Sequence, residues 1–221
     1  MKDYNIKLDK VIESNYTTSH TDEEKIGLEI IYNNIKNNKL NNSINREIFT
    51  DLICLQQTLY SKCGHYSNVE FRKTCSCISK SDVTTCDPSR ISNEIFKLNK
   101  TYIQILNNSK QINTIEDLIR YILKSIKFMC KIVEIHPFAD GNGRTSRAIF
   151  DYLLRQVDIP PVNVISDKHG YLDAIDAALR LRDYSLINKY YTEKIFEPKE
   201  KVNLQVEKGD VEKCNTLQLK Y

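Results

Sequence analysis

The chain carries the sequence His-Pro-Phe-Ala-Asp-Gly-Asn-Gly-Arg-Thr-Ser-Arg from His136 to Arg147. Two glycines flank Asn142 just before a predicted helix, so backbone N–H groups can converge on one point at the positive end of the helix dipole. Arginine is unfavourable to that dipole in the first turn of a helix. The presence of Arg144 and Arg147 there indicates a bound polyphosphate, whose oxygens match the guanidinium fork. The stretch therefore predicts an anion-binding loop.

Two other side chains of this stretch supply groups for catalysis. Asp140 can hold Mg²⁺ (or Mn²⁺) through one carboxylate, with phosphates completing the coordination shell. His136 lies four residues earlier and can take a proton from an attacking hydroxyl. Pro137 fixes the backbone after the histidine, and Phe138 is expected to anchor the loop in the core. Each residue alone is weak evidence, but their combination within one short loop predicts an active site.

Helical periodicity surrounds this loop on both sides. Before it, Thr114 can cap a helix whose apolar stripe contains Leu118, Ile119, Ile122, Leu123, Ile126, Cys130 and Val133. After it, a helix is predicted over about 144–156 and ends before Pro160 and Pro161. Two upstream helices are predicted, over 23–38 with Ile26, Ile30, Ile31 and Ile35 inward, and over 45–61 with Ile48, Leu52, Leu55 and Leu59 inward. Further helices are predicted over 171–181 and 185–195, so the fold class is all-α.

One segment departs from helical spacing. Residues 64–72 alternate polar and apolar side chains, and the residues up to 87 are rich in Ser, Thr and Cys. This pattern is typical of a short hairpin or extended flap. The residues after Pro198 are charged and weakly periodic, which is consistent with a loose helix or a disordered tail.

Bulk composition limits the function classes. The 221 residues suffice for one globular domain, and the net charge of +3 neither requires nor excludes nucleic acid. No apolar run suits a membrane span and no Sec-type signal is recognisable, so we expect a cytoplasmic protein or an effector secreted by another route. Seven cysteines then predict free thiols. A zinc site is the less favoured interpretation of the cluster formed by Cys63, Cys75, Cys77 and Cys86, because it lacks paired C-x-x-C ladders.

The loop resembles the signature of the Fic family, His-Pro-Phe-x-Asp/Glu-Gly-Asn-Gly-Arg-x-x-Arg, and matches it at every fixed position. The flanking helices and the segment from Tyr171 to Leu179 fit the family's order of elements. Cys63-Gly-His-Tyr-Ser67 stands at the place of the family's Gly-x-Tyr-Arg flap entrance. The resemblance covers about residues 45–195. It divides the chain into an N-terminal helical segment (1–44), a Fic domain (45–196) and a tail (197–221).

The resemblance implies a helical bundle with a small β-hairpin flap, and the transfer of AMP from ATP to a Ser, Thr or Tyr hydroxyl of a target protein. It makes His136 the general base and Asp140 the metal ligand. The residues that it assigns to ATP and its phosphates are Gly141, Asn142, Gly143, Arg144, Arg147 and Tyr171. Among these, Arg144 would contact the β-phosphate side and Arg147 the γ-phosphate.

The flap would bind the target segment by strand addition. Its docking residues are expected to be Tyr66, Val69 and Phe71. Two positions depart from the family pattern. Ser67 replaces the usual arginine of the flap entrance, and Ala178 stands where relatives often carry a polar residue against adenine. These two departures concern target docking and base preference, and the residues assigned to phosphate chemistry all match the family pattern.

Many family members carry an inhibitory glutamate in the pattern Ser/Thr-x-x-x-Glu-Gly/Asn, which pairs with the second arginine of the signature. Glu13 is the candidate by its distance from His136, although Asp9 and Ser14 depart from the pattern. Glu23 and Glu207 are weaker candidates. If none of them inhibits, control would come from a separate inhibitory protein or be absent.

Other functions stay open at this stage. The same fold can use another donor or remove AMP by hydrolysis, for which a glutamate such as Glu13 would activate water. A non-catalytic interaction module is the alternative from another class. Intact His136 and Asp140 disfavour it, since a pure binder gains nothing from a base beside a metal ligand. The expected partners are ATP and a target protein, with no membrane, and a homo-oligomer is compatible with the sequence.

Overall fold

The computed structural model describes residues 21–40, 47–63, 69–78, 83–164 and 168–196. Within these ranges the regular structure is helical, which confirms the predicted all-α class. Glu13, Tyr66, Ser67 and Glu207 lie outside the described residues. The helices are α1 (Asp22–Lys36), α2 (Ile48–Leu59), α3 (Ile91–Asn108), α4 (Ile115–Ile135), α5 (Asn142–Arg155), α6 (Lys168–Arg180) and α7 (Ser185–Phe196). Short 3₁₀ turns at Pro88–Arg90 and Ser109–Gln111 flank α3.

Two helices begin with reciprocal capping boxes. At the start of α4, the Thr114 hydroxyl accepts from the Asp117 amide, and the Asp117 carboxylate accepts from the Thr114 amide. At the start of α1, Thr21 and Glu24 make the same exchange. Each box satisfies N–H groups that have no partner inside the helix. The cap predicted at Thr114 is therefore confirmed, and the one at Thr21 was not foreseen.

The core is built around α4, which packs against α3, α5, α6 and α7. Helix α1 lies on α2 and α5. Helix α1 approaches α2 so closely at Gly27 that a Cβ there would lie 2.1 Å from the Leu59 carbonyl oxygen. Polar bonds also join the layers. Tyr121 on α4 donates to the Leu153 carbonyl on α5 at 2.7 Å.

The inward faces agree with the sequence patterns in most places. Ile48, Leu52, Leu55 and Leu59 of α2 are all buried, as predicted. On α1 the prediction was half wrong: Ile31 and Ile35 are buried, but Ile26 and Ile30 are 42% and 37% exposed. The buried face of α1 is completed instead by Leu28 and Tyr32. A stripe that runs through Leu28 and Tyr32 turns Ile26 and Ile30 toward solvent.

Helix α3 was not predicted. Its sequence mixes apolar residues with four Asn and two Lys. The buried residues are Ile91, Ile95, Tyr102, Ile105 and Leu106, whereas Phe96 is 79% exposed. Contacts with α2 and α4 stabilise the buried residues, including a bond of 2.5 Å from the Tyr102 hydroxyl to the Asp51 carboxylate.

The predicted flap region is extended where it is described. In residues 69–78 and 83–87, β pairing is confined to one antiparallel bridge between Cys77 and Thr84. This is a small addition to a helical protein, and it lies in the Ser-, Thr- and Cys-rich part of the predicted flap, after residue 72. No helix in the described ranges is both long and apolar enough to cross a membrane.

Candidate active site

His136 lies where α4 ends. Its amide donates to the Ile132 carbonyl at 3.0 Å, and its backbone is left-handed, with φ of 52°. A residue other than glycine in this conformation costs on the order of 1–3 kcal/mol, and such strain collects at functional sites. The pKa of His136 is lowered, because burial of the ring disfavours the charged form. The backbone of Val133 and the carboxylate of Asp140 oppose this shift, and Arg72 adds to it. The imidazole is therefore neutral at pH 7, the state that a general base requires.

Arg72 holds the end of α4 from the flap side. The residue is 6% exposed. Its Nε donates to the His136 carbonyl at 2.6 Å, and its Nη2 donates to the Ile135 carbonyl at 3.3 Å. Its own amide donates to the Pro137 carbonyl at 2.9 Å. A cation at a helix C-terminus is favoured by the dipole and satisfies carbonyls that lack intrahelical partners.

The same arginine ties the two described parts of the flap to this point. Its Nη1 donates to the Thr74 carbonyl at 2.7 Å, and its Nη2 donates to the Thr85 hydroxyl at 3.1 Å and to the Cys86 carbonyl. Phe71 packs beside it, with ring centroids 5.2 Å from Phe49 and 5.5 Å from Phe138. Phe138 is buried, as predicted. The flap base and the histidine loop therefore form one packed unit.

The loop after Phe138 is closed by the side chain of Asn142. Its Oδ1 accepts from the Phe138 amide and its Nδ2 donates to the Phe138 carbonyl, both at 2.8 Å. Gly141 has φ of 76°, and a Cβ there would lie 2.9 Å from Gln56 Oε1 and 3.0 Å from the Tyr60 hydroxyl. Glycine is required at this position because the backbone is left-handed and space is lacking. Helix α5 then begins at Asn142, so the loop leads directly into a helix N-terminus, as the sequence predicted.

Asp140 is held from α2. Gln56 donates to its backbone carbonyl at 2.7 Å, and the Tyr60 hydroxyl donates to its Oδ2 at 2.9 Å. Burial raises the pKa of Tyr60, so its phenol stays protonated and remains a donor. The Asp140 side chain is nevertheless 62% exposed. The carboxylate is thus oriented by protein donors while it stays accessible from solvent.

The two arginines of α5 have different surroundings. Arg144 is 5% exposed; its Nη2 donates to the Tyr60 hydroxyl at 2.9 Å and to Asp140 Oδ2 at 3.2 Å. Its Nη1 lies 3.1 Å from Glu24 Oε1, which belongs to α1. Arg147 is partly exposed and folds back along α5, so that a Cβ on Gly143 would lie 3.1 Å from its Nη1.

Aromatic rings line the Arg147 side of the site. The Arg147 guanidinium lies 5.7 Å from the ring centroid of Tyr171, which is buried on α6. The positive charge of Arg147 also acts on Asp151 and lowers its pKa. Burial has the larger effect and raises the pKa of Asp151 to about 7. Asp151 accepts from the Tyr32 hydroxyl at 2.9 Å and from the Val162 amide at 3.1 Å.

Asp140 could hold a metal ion only together with oxygen atoms of a substrate or of water. The described ranges hold no group of three or more His, Cys, Asp or Glu side chains arranged for a metal ion. Asp140 is a single carboxylate beside a helix N-terminus. Such a site suits Mg²⁺ that keeps waters and takes its other oxygens from a substrate's phosphates.

The structure brings most of the predicted residues together. One loop and the first turns of α5 carry His136, Asp140, Gly141, Asn142, Gly143, Arg144 and Arg147, and Tyr171 faces the last of these. Val69 and Phe71 pack against the core at the base of the flap. The sequence did not indicate a role in this site for Glu24, Gln56, Tyr60 or Arg72. Only Glu24 left a visible signal, as the fourth residue of the capping pattern Thr21-x-x-Glu24.

Known proteins resemble this chain in the region that contains the active-site loop. The Fic/DOC family model matches residues 48–154. A protein adenylyltransferase Fic of Nematostella vectensis is 37% identical over an alignment 78 residues long, and the match covers 31% of this chain and 18% of that protein. The enzyme of the same name from Aedes aegypti is 47% identical over 49 residues, 22% of this chain and 10% of that protein. The chain thus matches less than a fifth of the length of these relatives.

Solved structures share the fold. A Fic domain containing signaling protein from Bacteroides thetaiotaomicron superposes with a TM-score of 0.62 at 18% identity, over 88% of this chain and 85% of that one. Fic-1 from C. elegans gives a TM-score of 0.60 at 18% identity, over 85% of this chain and 53% of that one. At such identity the likeness concerns the arrangement of helices alone.

Proposed function

We propose that this chain, which belongs to the Fic/DOC family through residues 48–154, transfers AMP from ATP to a hydroxyl group of another protein. The family and its adenylyltransferase relatives support a transferase. The acceptor would be a Ser, Thr or Tyr side chain. We also propose the arrangement 1–44, 45–196 and 197–221 for the N-terminal segment, the Fic domain and the tail.

The observation that carries this proposal is the placement of a neutral histidine and an exposed carboxylate on one rigid loop. His136 has a lowered pKa, and Asp140 follows four residues later with its Oδ2 fixed by Tyr60. The N-terminus of α5 follows directly, with backbone N–H groups suited to phosphate. A base, a metal ligand and an anion site in this order suit phosphoryl-type transfer, in which positioning and charge stabilisation dominate.

The reaction can be written from these residues. His136 takes the proton of the target hydroxyl, whose oxygen forms a bond to the α-phosphorus of ATP. The bond from that phosphorus to the bridging oxygen breaks, and pyrophosphate leaves. The N–H groups of Gly141 to Gly143 and the Arg147 guanidinium would stabilise the phosphate charge. A Mg²⁺ held by Asp140 would neutralise further charge on the polyphosphate.

The strained backbone of His136 disfavours a purely structural role. A helix could end at this point with glycine or asparagine at little cost. Here a histidine adopts the left-handed conformation, and a buried arginine holds its carbonyl. This arrangement supports catalysis over the non-catalytic interaction module.

The test is self-labelling and lysate labelling with α-labelled ATP and Mg²⁺, followed by intact-mass analysis. We expect a mass increase of one AMP on the protein or on a lysate protein, and none with His136→Ala of unchanged circular dichroism. Label retained from γ-labelled ATP instead would indicate phosphate transfer and contradict the proposal. Absence of any labelling by the wild-type chain would also contradict it.

A further inference from the structure

We propose that Glu24 is a positioning residue of this site: it holds the Arg144 guanidinium in the orientation from which Arg144 contacts Tyr60 and Asp140. The inference rests on the proposed function, because it concerns the carboxylate that would bind the metal of ATP. It brings α1, which lies outside the residues matched by the family model, into the active site.

Both oxygens of the Glu24 carboxylate have a partner in the protein. Oε2 accepts from the Thr21 amide at 2.9 Å, and the Thr21 hydroxyl accepts from the Glu24 amide at 3.4 Å. Oε1 forms an ion pair with Arg144 Nη1 at 3.1 Å, without the geometry of a hydrogen bond. A glutamate that only caps a helix has no need of burial, yet the side chain of Glu24 is 10% exposed and that of Arg144 is 5% exposed. The cap therefore also serves to aim a buried carboxylate at Arg144.

Arg144 requires such a partner. It lies in the first turn of α5, where the helix dipole is unfavourable to a cation. It is also removed from water, so its charge must be paired inside the protein. Glu24 supplies this pairing from the start of α1, where the dipole favours an anion.

The contacts of Arg144 lead directly to the predicted metal ligand. Nη2 donates to the Tyr60 hydroxyl at 2.9 Å and to Asp140 Oδ2 at 3.2 Å, and the Tyr60 hydroxyl donates to the same oxygen at 2.9 Å. Arg144 thus divides its charge between two carboxylates, Glu24 and Asp140. Without Glu24, the whole cation would act on Asp140, where it competes with a metal ion. Loss of Glu24 should therefore weaken metal binding without removing any metal ligand.

Two substitutions separate this role from capping. Glu24→Gln keeps the length of the side chain and a residue type that forms capping boxes, but removes the negative charge. Glu24→Asp keeps the charge, and Asp117 shows that an aspartate at this helical position forms a capping box in this protein. The shorter side chain would not reach Arg144. The matched control is Glu23→Gln, at the exposed neighbouring position in the same helical turn.

The experiment measures Mn²⁺ binding in the presence of ATP by electron paramagnetic resonance, together with the Mg²⁺ dependence of AMP transfer and the melting temperature. Partners that orient a metal ligand typically contribute 10- to 100-fold to metal affinity. We expect the dissociation constant for Mn²⁺ to rise about tenfold in both Glu24 variants and to stay unchanged in Glu23→Gln. The Mg²⁺ concentration for half-maximal transfer should rise in parallel.

The outcomes distinguish the inference from the proposed function. If both Glu24 variants lower the melting temperature and leave metal dependence unchanged, Glu24 only caps α1 and the inference is wrong. If Glu24→Gln raises transfer at saturating Mg²⁺ and ATP, Glu24 acts as an inhibitor and the inference is also wrong. A wild-type chain that binds Mn²⁺ with ATP but transfers no AMP would contradict the proposed function, while the binding comparison would still decide the role of Glu24.

Discussion

The Nε atom of Arg72 lies 2.6 Å from the carbonyl oxygen of His136, so an arginine of the flap base holds the backbone of the candidate general base. The same guanidinium reaches acceptors at Thr74, Thr85 and Cys86 on both described sides of the flap. A movement of the flap base would therefore shift the backbone of His136. This coupling explains why the flap and the loop pack as one unit although 64 residues separate the two partners along the chain.

The first prediction concerns this arginine. Arg72→Ala would leave buried carbonyls without a donor, and each such group costs about 1–3 kcal/mol. We expect the free energy of unfolding to fall by about 3 kcal/mol and kcat for AMP transfer to fall at least about tenfold, with KM for ATP little changed. Urea denaturation and initial rates test this. Lys73→Ala is the control, since the Lys73 side chain is 76% exposed. A variant with wild-type kcat would show that Arg72 does not position His136.

The second prediction concerns the pH dependence of transfer. Because burial lowers the pKa of His136 below its ordinary value of 6.5, the neutral base persists as the pH falls through that value. In a plot of kcat/KM against pH, we expect the fall on the acidic side to lie below pH 6.5. His136→Ala should have no activity and therefore no such profile. His169→Ala is the control, because His169 is exposed. An acidic limb above pH 6.5 would argue against a desolvated histidine as the base.

The third prediction concerns Asp151, whose pKa is raised to about 7 by burial. The native state therefore favours the protonated carboxyl, and the stability that this group contributes is lost as the pH rises from its unfolded value of 3.8 toward about 7. We expect the wild-type protein to lose stability relative to Asp151→Asn by up to about 1.4 kcal/mol per pH unit in that window. Urea denaturation of both proteins at pH 5, 6, 7 and 8 measures the difference. Parallel curves would show that Asp151 does not titrate there.

The fourth prediction concerns the packing of α1 on α2. A methyl group at Gly27 would lie 2.1 Å from the Leu59 carbonyl oxygen, and backbone cannot yield as a flexible side chain can. Although alanine favours helices, we expect Gly27→Ala to destabilise the protein by about 1–3 kcal/mol. Lys25→Ala, on the same helix, should change stability by less than about 0.5 kcal/mol. Thermal unfolding compares the two. A stabilised Gly27→Ala protein would show that α1 is not seated so closely on α2.

The fifth prediction is carried by the sequence alone. If Glu13 is the inhibitory glutamate, Glu13→Gly should raise auto-modification sharply, because Arg147 would be released to align the phosphates of ATP. A misalignment of about 1 Å can cost on the order of 100-fold in rate. Glu23→Gly and Glu207→Gly should have little effect. Equal auto-modification by Glu13→Gly and the wild-type chain would remove the N-terminal inhibitor, and a rise only with Glu207→Gly would assign inhibition to the tail.

Local chemistry in the sequence was sufficient to predict the loop and its neighbours. Periodicity located α2 and α4, and the cap at Thr114 marks where α4 begins because a hydroxyl must satisfy the first amides. The loop sequence predicted a helix start beside its glycines, and α5 begins at Asn142, directly after Gly141. These features depend on residues within a few positions of one another, so a single stretch contains the whole signal.

The partners of the loop were decided by tertiary structure alone. Tyr60, just after α2, and Glu24, in α1, reach Arg144 although each is more than 80 residues away along the chain. Arg72 reaches His136 across 64 residues. In the sequence Tyr60 and Arg72 resemble an ordinary tyrosine and an ordinary arginine, and the pattern around Glu24 indicates only a helix cap. Their roles arise because packing removes them from water, and a charge or hydroxyl in that environment must find a partner inside the protein. Spacing along the chain says nothing about which partner that will be.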